Sequence, residues 1–267
     1  MRNLIEHLNL EDDFLFAKVM MDAEICRRVL ETILKIPIKK ISIPTTQRTI
    51  DILLESKGVR LDVYVDDDED TVFNAEMERS KKRELPKRSR YYQGNIDLDL
   101  ISTGQPYTAL KKSFIIFICT FDPFDENRCV YTFKNICEED HQLQLGDETT
   151  KIFLNTTGDM TDLDIELKEF LMYIQNSTDE FASSTKGTLV KEIHKRVSEV
   201  RQSKEMEVEY MTLFQRDMEN RELGREEGKE ESLKIFIRNM LNRGMSDEDI
   251  CALAECTKEL IDEVRNS

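Results

Sequence analysis

Proline and glycine are scarce in this chain, five and nine in 267 residues, which excludes collagen-like and low-complexity architectures. Hydrophobic residues make up 39%, enough for one sizeable α/β domain with an appended helical region. No apolar run approaches a membrane span and no charged-then-apolar N-terminal signal stands out, so a soluble, unexported protein is expected. The six cysteines form no C-x-x-C pair; their scatter argues against a disulfide scaffold or zinc ribbon, and reduced thiols fit a cytoplasm. The nearest metal-like set, Cys129, Cys137 and His141, has no standard zinc spacing and no clear fourth ligand. Positive charge is also lacking overall. A formal net charge of −16 repels nucleic acid at long range, so any DNA contact must be local.

One concentration of positive charge stands out. Arg79 to Arg90 holds seven Lys or Arg and a single Glu, and it follows directly on the acidic stretch GVRLDVYVDDDEDTVFNAEME. At period 2 the first arm of that stretch turns Leu61, Val63 and Val65 to one side, and Arg60, Asp62 and Tyr64 to the other. Asp66 to Asp70 is too acidic to bury and predicts a chain reversal. In the second arm Phe73, Ala75 and Met77 alternate with Val72, Asn74, Glu76 and Glu78, so both glutamates share a face. Carboxylates converging on a concave patch repel one another and lose hydration, which raises their pKa values, and a divalent cation relieves both effects. Oxygen-only ligands suit Mg2+ or Mn2+, held by one or two carboxylates plus waters and phosphate oxygens. This pattern favours phosphate chemistry. The same spacing also describes solvent-facing acids on an ordinary hairpin, and a basic run also describes a solvated helix face.

The order of a strand Asp, a hairpin, Glu-x-Glu, a basic tract, then RSRYYQGNID and STGQPYTALKKSFIIFICTFDPF resembles the PD-(D/E)XK nuclease superfamily. Within it, the chain is most similar to the recombination-promoting nuclease and transposase family, over about residues 9 to 155 and again near the C-terminus. The resemblance implies an α/β fold: a restriction-endonuclease-like mixed sheet flanked by helices and followed by an acidic helical C-terminal region. It makes Asp62 and Glu76 ligands of Mg2+ or Mn2+ and matches Asp13, in EDDFLF, to an acid at the first helix that joins them at the metal. Position 78 departs from the pattern, with Glu78 where the superfamily has Lys and this family Gln. Lysine there would stabilise attacking water or phosphorane charge. Glu78 leaves three readings open: a further metal ligand, a general base, or a mark of impaired catalysis. The cation would then come from the following helix, with Lys87, Arg88 and Arg90 as candidates and Tyr92 beside them as the DNA-contacting set. The implied activity is metal-dependent endonucleolytic hydrolysis of DNA phosphodiesters, linked to recombination or mobile elements. The alternative is a catalytically impaired nuclease-fold module that binds DNA or protein. Simultaneous cutting of both strands needs two active sites, which a homodimer would supply.

The rest of the pattern divides into a core over 1–160, a helical extension over 161–203 and an acidic helical region over 204–267. A single helix is expected from Phe14 to Leu34, with Asp12 and Asp13 at its start where acids complement the helix dipole. Pro44 to Arg48 reads as loop, IDILLE as the first core strand and Ser56 to Gly58 as a turn. A helix starts near Leu85 with Pro86 in its first turn and is ended by Gly104 and Pro106. SFIIFIC then reads as a fully buried strand parallel to the third. Strands near Cys129–Phe133 and Lys151–Asn155 extend the sheet. Leu163 to Ile174 and Leu189 to Val200 are amphipathic helices around a Ser/Thr-rich linker. A long acidic helix from Lys204 to Leu241 carries Gly224 and Gly228, a pair that suggests close packing or a flexible joint. Ser246 with Asp249 resembles a capping box, opening a small helical hairpin read as a protein-contact module.

Overall fold

The structure, a computed structural model, describes residues 4–42, 44–50, 59–67, 69–81 and 84–266. The chain divides into two compact units, Met1–Glu207 and Val208–Ser267. The first unit is built on a six-stranded mixed sheet. Its strands are β1 (Thr45–Ile50), β2 (Val59–Asp66), β3 (Thr71–Glu78), β4 (Lys112–Cys119), β5 (Val130–Phe133) and β6 (Thr149–Asn155). They lie in the order β1-β2-β3-β4-β6-β5. The first three form an antiparallel meander with Val63 opposite Ala75, whereas β4 runs parallel to both β3 and β6. All eight residues of β3 are buried, as are the last seven of β4, so both faces of these central strands are covered. The alternation of apolar and polar residues along β3 therefore does not expose a wet face.

Helix α3 (Leu85–Leu100) supplies one of those covers. Pro86 stands in its first turn, where a missing N–H leaves no helical bond unmade. Leu85 and Ile96, with the partly buried Tyr92, pack with Val72, Ile115, Phe117 and Phe153 of the sheet. The Tyr92 ring lies 6.1 Å from that of Phe117, which is stacked in turn on Phe153. The helix ends at Leu100, before Gly104, which takes a positive φ in the loop beyond.

Several expectations are corrected. The N-terminal segment forms two helices, α1 (Asp13–Met20) and α2 (Ala23–Leu34), because Asp22 accepts hydrogen bonds from the amides of Glu24 and Ile25 and caps a fresh start. Lys35 in a left-handed conformation ends α2, ahead of Pro37. Thr45 to Arg48 is strand rather than loop, since β2 offers it an antiparallel edge; residues 51–58, with most of the expected first strand and its turn, lie outside the described residues. Between α4 (Ile165–Gln175) and α6 (Leu189–Gln202), the Ser/Thr-rich segment holds a short helix, α5 (Asp179–Ser184), capped by Thr178.

The second unit is helical. Helix α7 (Lys204–Asn242) ends at Gly244 with φ of 74°. Its last turns pack Ile237 and Met240 against Ile250 of α8 (Asp247–Ala254) and Ile261 and Val264 of α9 (Lys258–Asn266). Ser246 caps α8 by accepting from the Asp249 amide. A Cβ added at Gly224 or Gly228 would meet nothing within 4 Å, so close packing does not account for either glycine. No described helix is long and apolar enough to cross a membrane.

Candidate active site

The two arms of the β2/β3 hairpin pair through Val63 opposite Ala75, and one step further Asp62 would face Glu76. There the carboxylates enter the ladder. Glu76 Oε1 accepts from the Asp62 amide at 3.1 Å, and Asp62 Oδ2 accepts from the Met77 amide at 3.1 Å. Each strand thus satisfies an amide of the other with a side chain, which locks the two acids together at the end of the hairpin pairing. Glu76 is 1% exposed and Glu78 6%, so neither is a solvent-facing acid. Asp62 is half-buried.

Burial is the main cause that pushes the Glu76 carboxyl up to about 8, with the Asp62 charge adding to it. Asn74, two residues earlier on the same face and 1% exposed, lies within electrostatic reach of Glu76, yet neither its amide nitrogen nor its oxygen has a well-formed hydrogen-bond partner among the described residues. Asn74 lies on the glutamate face that side-chain alternation predicts, though that alternation alone does not mark it as part of the site. Its signal was the period-2 position of an amide in an otherwise apolar-or-acidic strand.

Arg88 of α3 closes the other side. Its Nη2 donates to Glu76 Oε2 at 3.2 Å, its Nη1 to Glu78 Oε2 at 2.5 Å, and its Nε to the Tyr92 hydroxyl at 2.9 Å. The guanidinium also lies over the rings of Tyr92 and Phe117, at 5.1 and 5.3 Å from their centroids. The Ser80 amide donates to the second Glu78 oxygen at 3.3 Å. Tyr92 is half-buried, and burial, with the negative charge of Glu76 second, pushes its phenol up to about 12. The Cys119 thiol, opposite Glu78 on β4, is pushed up to about 12 by burial and then by the Glu78 charge, so it is no thiolate nucleophile at neutral pH.

The remaining predicted residues sit farther out. Asp13 is the first residue of α1 and half exposed, with its carboxyl raised by desolvation against the opposing pull of Arg79 at 3.9 Å; the Glu78 charge also acts on it. Its neighbour Asp12 is the buried cap of α1, accepting from the Phe14 and Leu15 amides, and stands 3.6 Å from Arg79. Lys87 and Arg90 are exposed on α3. Lys81 pairs with Asp125. Among the described residues no group of three or more His, Cys, Asp or Glu is arranged to hold a metal ion, so Asp62 and Glu76 are brought together but Asp13 does not complete an all-protein cage with them. All six cysteines are free thiols.

An antiparallel hairpin carrying interlocked Asp and Glu, continued by parallel strands and covered by a basic helix, defines the PD-(D/E)XK nuclease class of α/β fold. The model of one family in that class, PD-(D/E)XK nuclease family transposase, matches residues 12–231, and the chain belongs to that family. Membership supports a nuclease-like function. No curated protein and no solved structure gives a significant match.

Proposed function

We propose that this protein is a metal-dependent DNA endonuclease whose site is built on Asp62 and Glu76. The observation that carries the reading is the reciprocal lock of these two acids across the hairpin, beneath a helix that brings Arg88 to the same carboxylates. The residues fit a Mg2+ or Mn2+ ion of the usual kind, bound by two carboxylates with waters and phosphate oxygens filling the remaining positions, rather than by a closed protein cage. Two features favour it. Glu76 is held buried with its carboxyl pushed up to about 8, a cost that a divalent cation removes, and the buried Asn74 amide alongside has no well-formed partner among the described residues.

When bound, the ion supplies a Lewis acid for the phosphate and lowers the pKa of water. Asp62 and Glu76 fix where that chemistry happens. Hydrolysis forms one P–O bond from the water oxygen and breaks one P–O bond to the sugar; the water gives up a proton and the departing sugar oxygen takes one. Exposed Lys87 and Arg90 on α3 would pair with flanking phosphates, whereas Tyr92 acts through Arg88 rather than at the DNA surface. Links to recombination or mobile elements, and a homodimer for double-strand cuts, belong to the same proposal.

The test is nicking of supercoiled plasmid by purified protein with Mg2+ or Mn2+, beside Glu76→Ala prepared identically. Metal-dependent nicking that disappears in the variant is the expected result. Equal nicking by both proteins would refute the assignment, and no nicking by either would point to the binding-module alternative.

A further inference from the structure

The family pattern places a cation or an amide two residues after the strand glutamate, and this chain has Glu78 there. We infer that Arg88 is the site's built-in cation, that it contacts a phosphate of the DNA, and that Glu78 serves to hold it; this rests on the nuclease reading above. Among the described cations of the basic tract, Arg88 is the one bonded to Glu76 and Glu78: Arg79 stands against Asp12 and Asp13, Lys81 pairs with Asp125, and Lys87 and Arg90 face solvent.

The hydrogen-bond inventory shows why this arginine can bind an anion while it is held. A guanidinium has five N–H groups in a rigid fork. Three are given to Tyr92, Glu78 and Glu76, which leaves one on each terminal nitrogen, and the side chain keeps 23% of its surface exposed. These N–H groups are charge-assisted donors available to phosphate oxygens. The charges also balance. Glu78 and Arg88 cancel as a pair, so Asp62 and Glu76 are left to match a divalent ion. Glu78 is oriented toward this role, with one oxygen accepting from the Ser80 amide and the other from Arg88. The rings of Tyr92 and Phe117 under the guanidinium fix its plane.

The experiment compares Glu78→Gln/Arg88→Gln and Glu78→Lys/Arg88→Gln with wild type. The first double variant removes both charges of the Glu78–Arg88 pair, while Glu76, which also pairs with Arg88, keeps its bond from the Asp62 amide; the second returns a cation from the strand. Thermal melts confirm folding. Two readouts follow: plasmid nicking with Mg2+, and affinity for a fluorescent 20-base-pair duplex with Ca2+ in place of Mg2+, by anisotropy. Glu78→Gln/Arg88→Gln is expected to fold, to lose at least tenfold in nicking and to bind the duplex at least fivefold more weakly, and Glu78→Lys/Arg88→Gln to regain most of both. A folded Glu78→Gln/Arg88→Gln protein that nicks and binds like wild type would show that Arg88 serves the fold alone, overturning the inference and leaving the nuclease reading intact. If wild type fails to nick, the nuclease reading falls, and the duplex affinities still decide: a loss in Glu78→Gln/Arg88→Gln that Glu78→Lys/Arg88→Gln reverses supports the phosphate contact, and unchanged affinity overturns it.

Discussion

At the scale of the residue, Glu76 is the most buried acid of the proposed site. Its folded-state carboxyl lies near 8 against an ordinary 4.5, chiefly through burial. The folded protein therefore holds a proton that the unfolded chain has released across that window, and metal-free stability falls as pH rises from about 4.5 to about 8. Glu76→Gln is expected to flatten that slope in melts of metal-free protein; an unchanged slope would remove Glu76 as its source. A divalent ion needs the ionised acid, so stabilisation by Mn2+ is expected to grow with pH over the same range in wild type and to be small in the variant. Tyr92→Phe removes the acceptor of the Arg88 Nε bond but keeps the ring beneath it. The expected effect is a loss of about 1–2 kcal/mol in chemical denaturation, with nicking reduced less than by loss of Arg88.

Elements bring these residues together through local chemistry. The restart of the chain at Asp22 separates α1 from α2, and without that cap the first amides of α2 lose their acceptor. Asp22→Ala should cost about 1 kcal/mol, measured by urea unfolding, while the caps at Asp12 and Ser246 are untouched. A tighter constraint lies beyond β6. At Gly158 an added Cβ would come within 2.7 Å of the Arg128 backbone carbonyl carbon and oxygen, and backbone cannot give way as a flexible side chain does. Gly158→Ala is expected to destabilise the first unit by about 1–3 kcal/mol. A melt equal to wild type would show that this close approach is relieved without cost.

On the scale of the whole molecule, the charge distribution constrains how the proposed nuclease would meet DNA. A net charge of −16 opposes long-range attraction, so on the proposed nuclease reading affinity comes from a few close phosphate pairs around α3. The slope of log affinity against log salt is expected to correspond to about two to four neutralised phosphates; a slope near ten would indicate an extended basic surface instead. The two compact units also have separate cores, with Ile237, Met240, Ile250, Ile261 and Val264 forming that of the second. Non-coincident unfolding transitions by calorimetry are expected on this account.

Much of this was legible in the sequence because it depends on local periodicity. The Asp62/Glu76/Glu78 hairpin, the buried parallel strand at Ser113–Cys119, Pro86 in the first turn of α3 and the cap at Ser246 follow from side-chain alternation and from which residues can satisfy backbone amides nearby. Other features depended on partners distant in the chain. A strand at Thr45–Arg48 required β2 as its edge, and the burial of β3 on both faces required α3 to fold back over Glu76. The choice of Arg88 from several equally basic neighbours came from the rotation of α3, which points that one side chain at the glutamates and the next ones at water. Sequence by itself determined which acids and bases this protein carries and on which strand face they lie. Tertiary packing alone decided which of them meet, because a hydrogen bond acts over about 3 Å and only the folded backbone brings residues from separate elements that close.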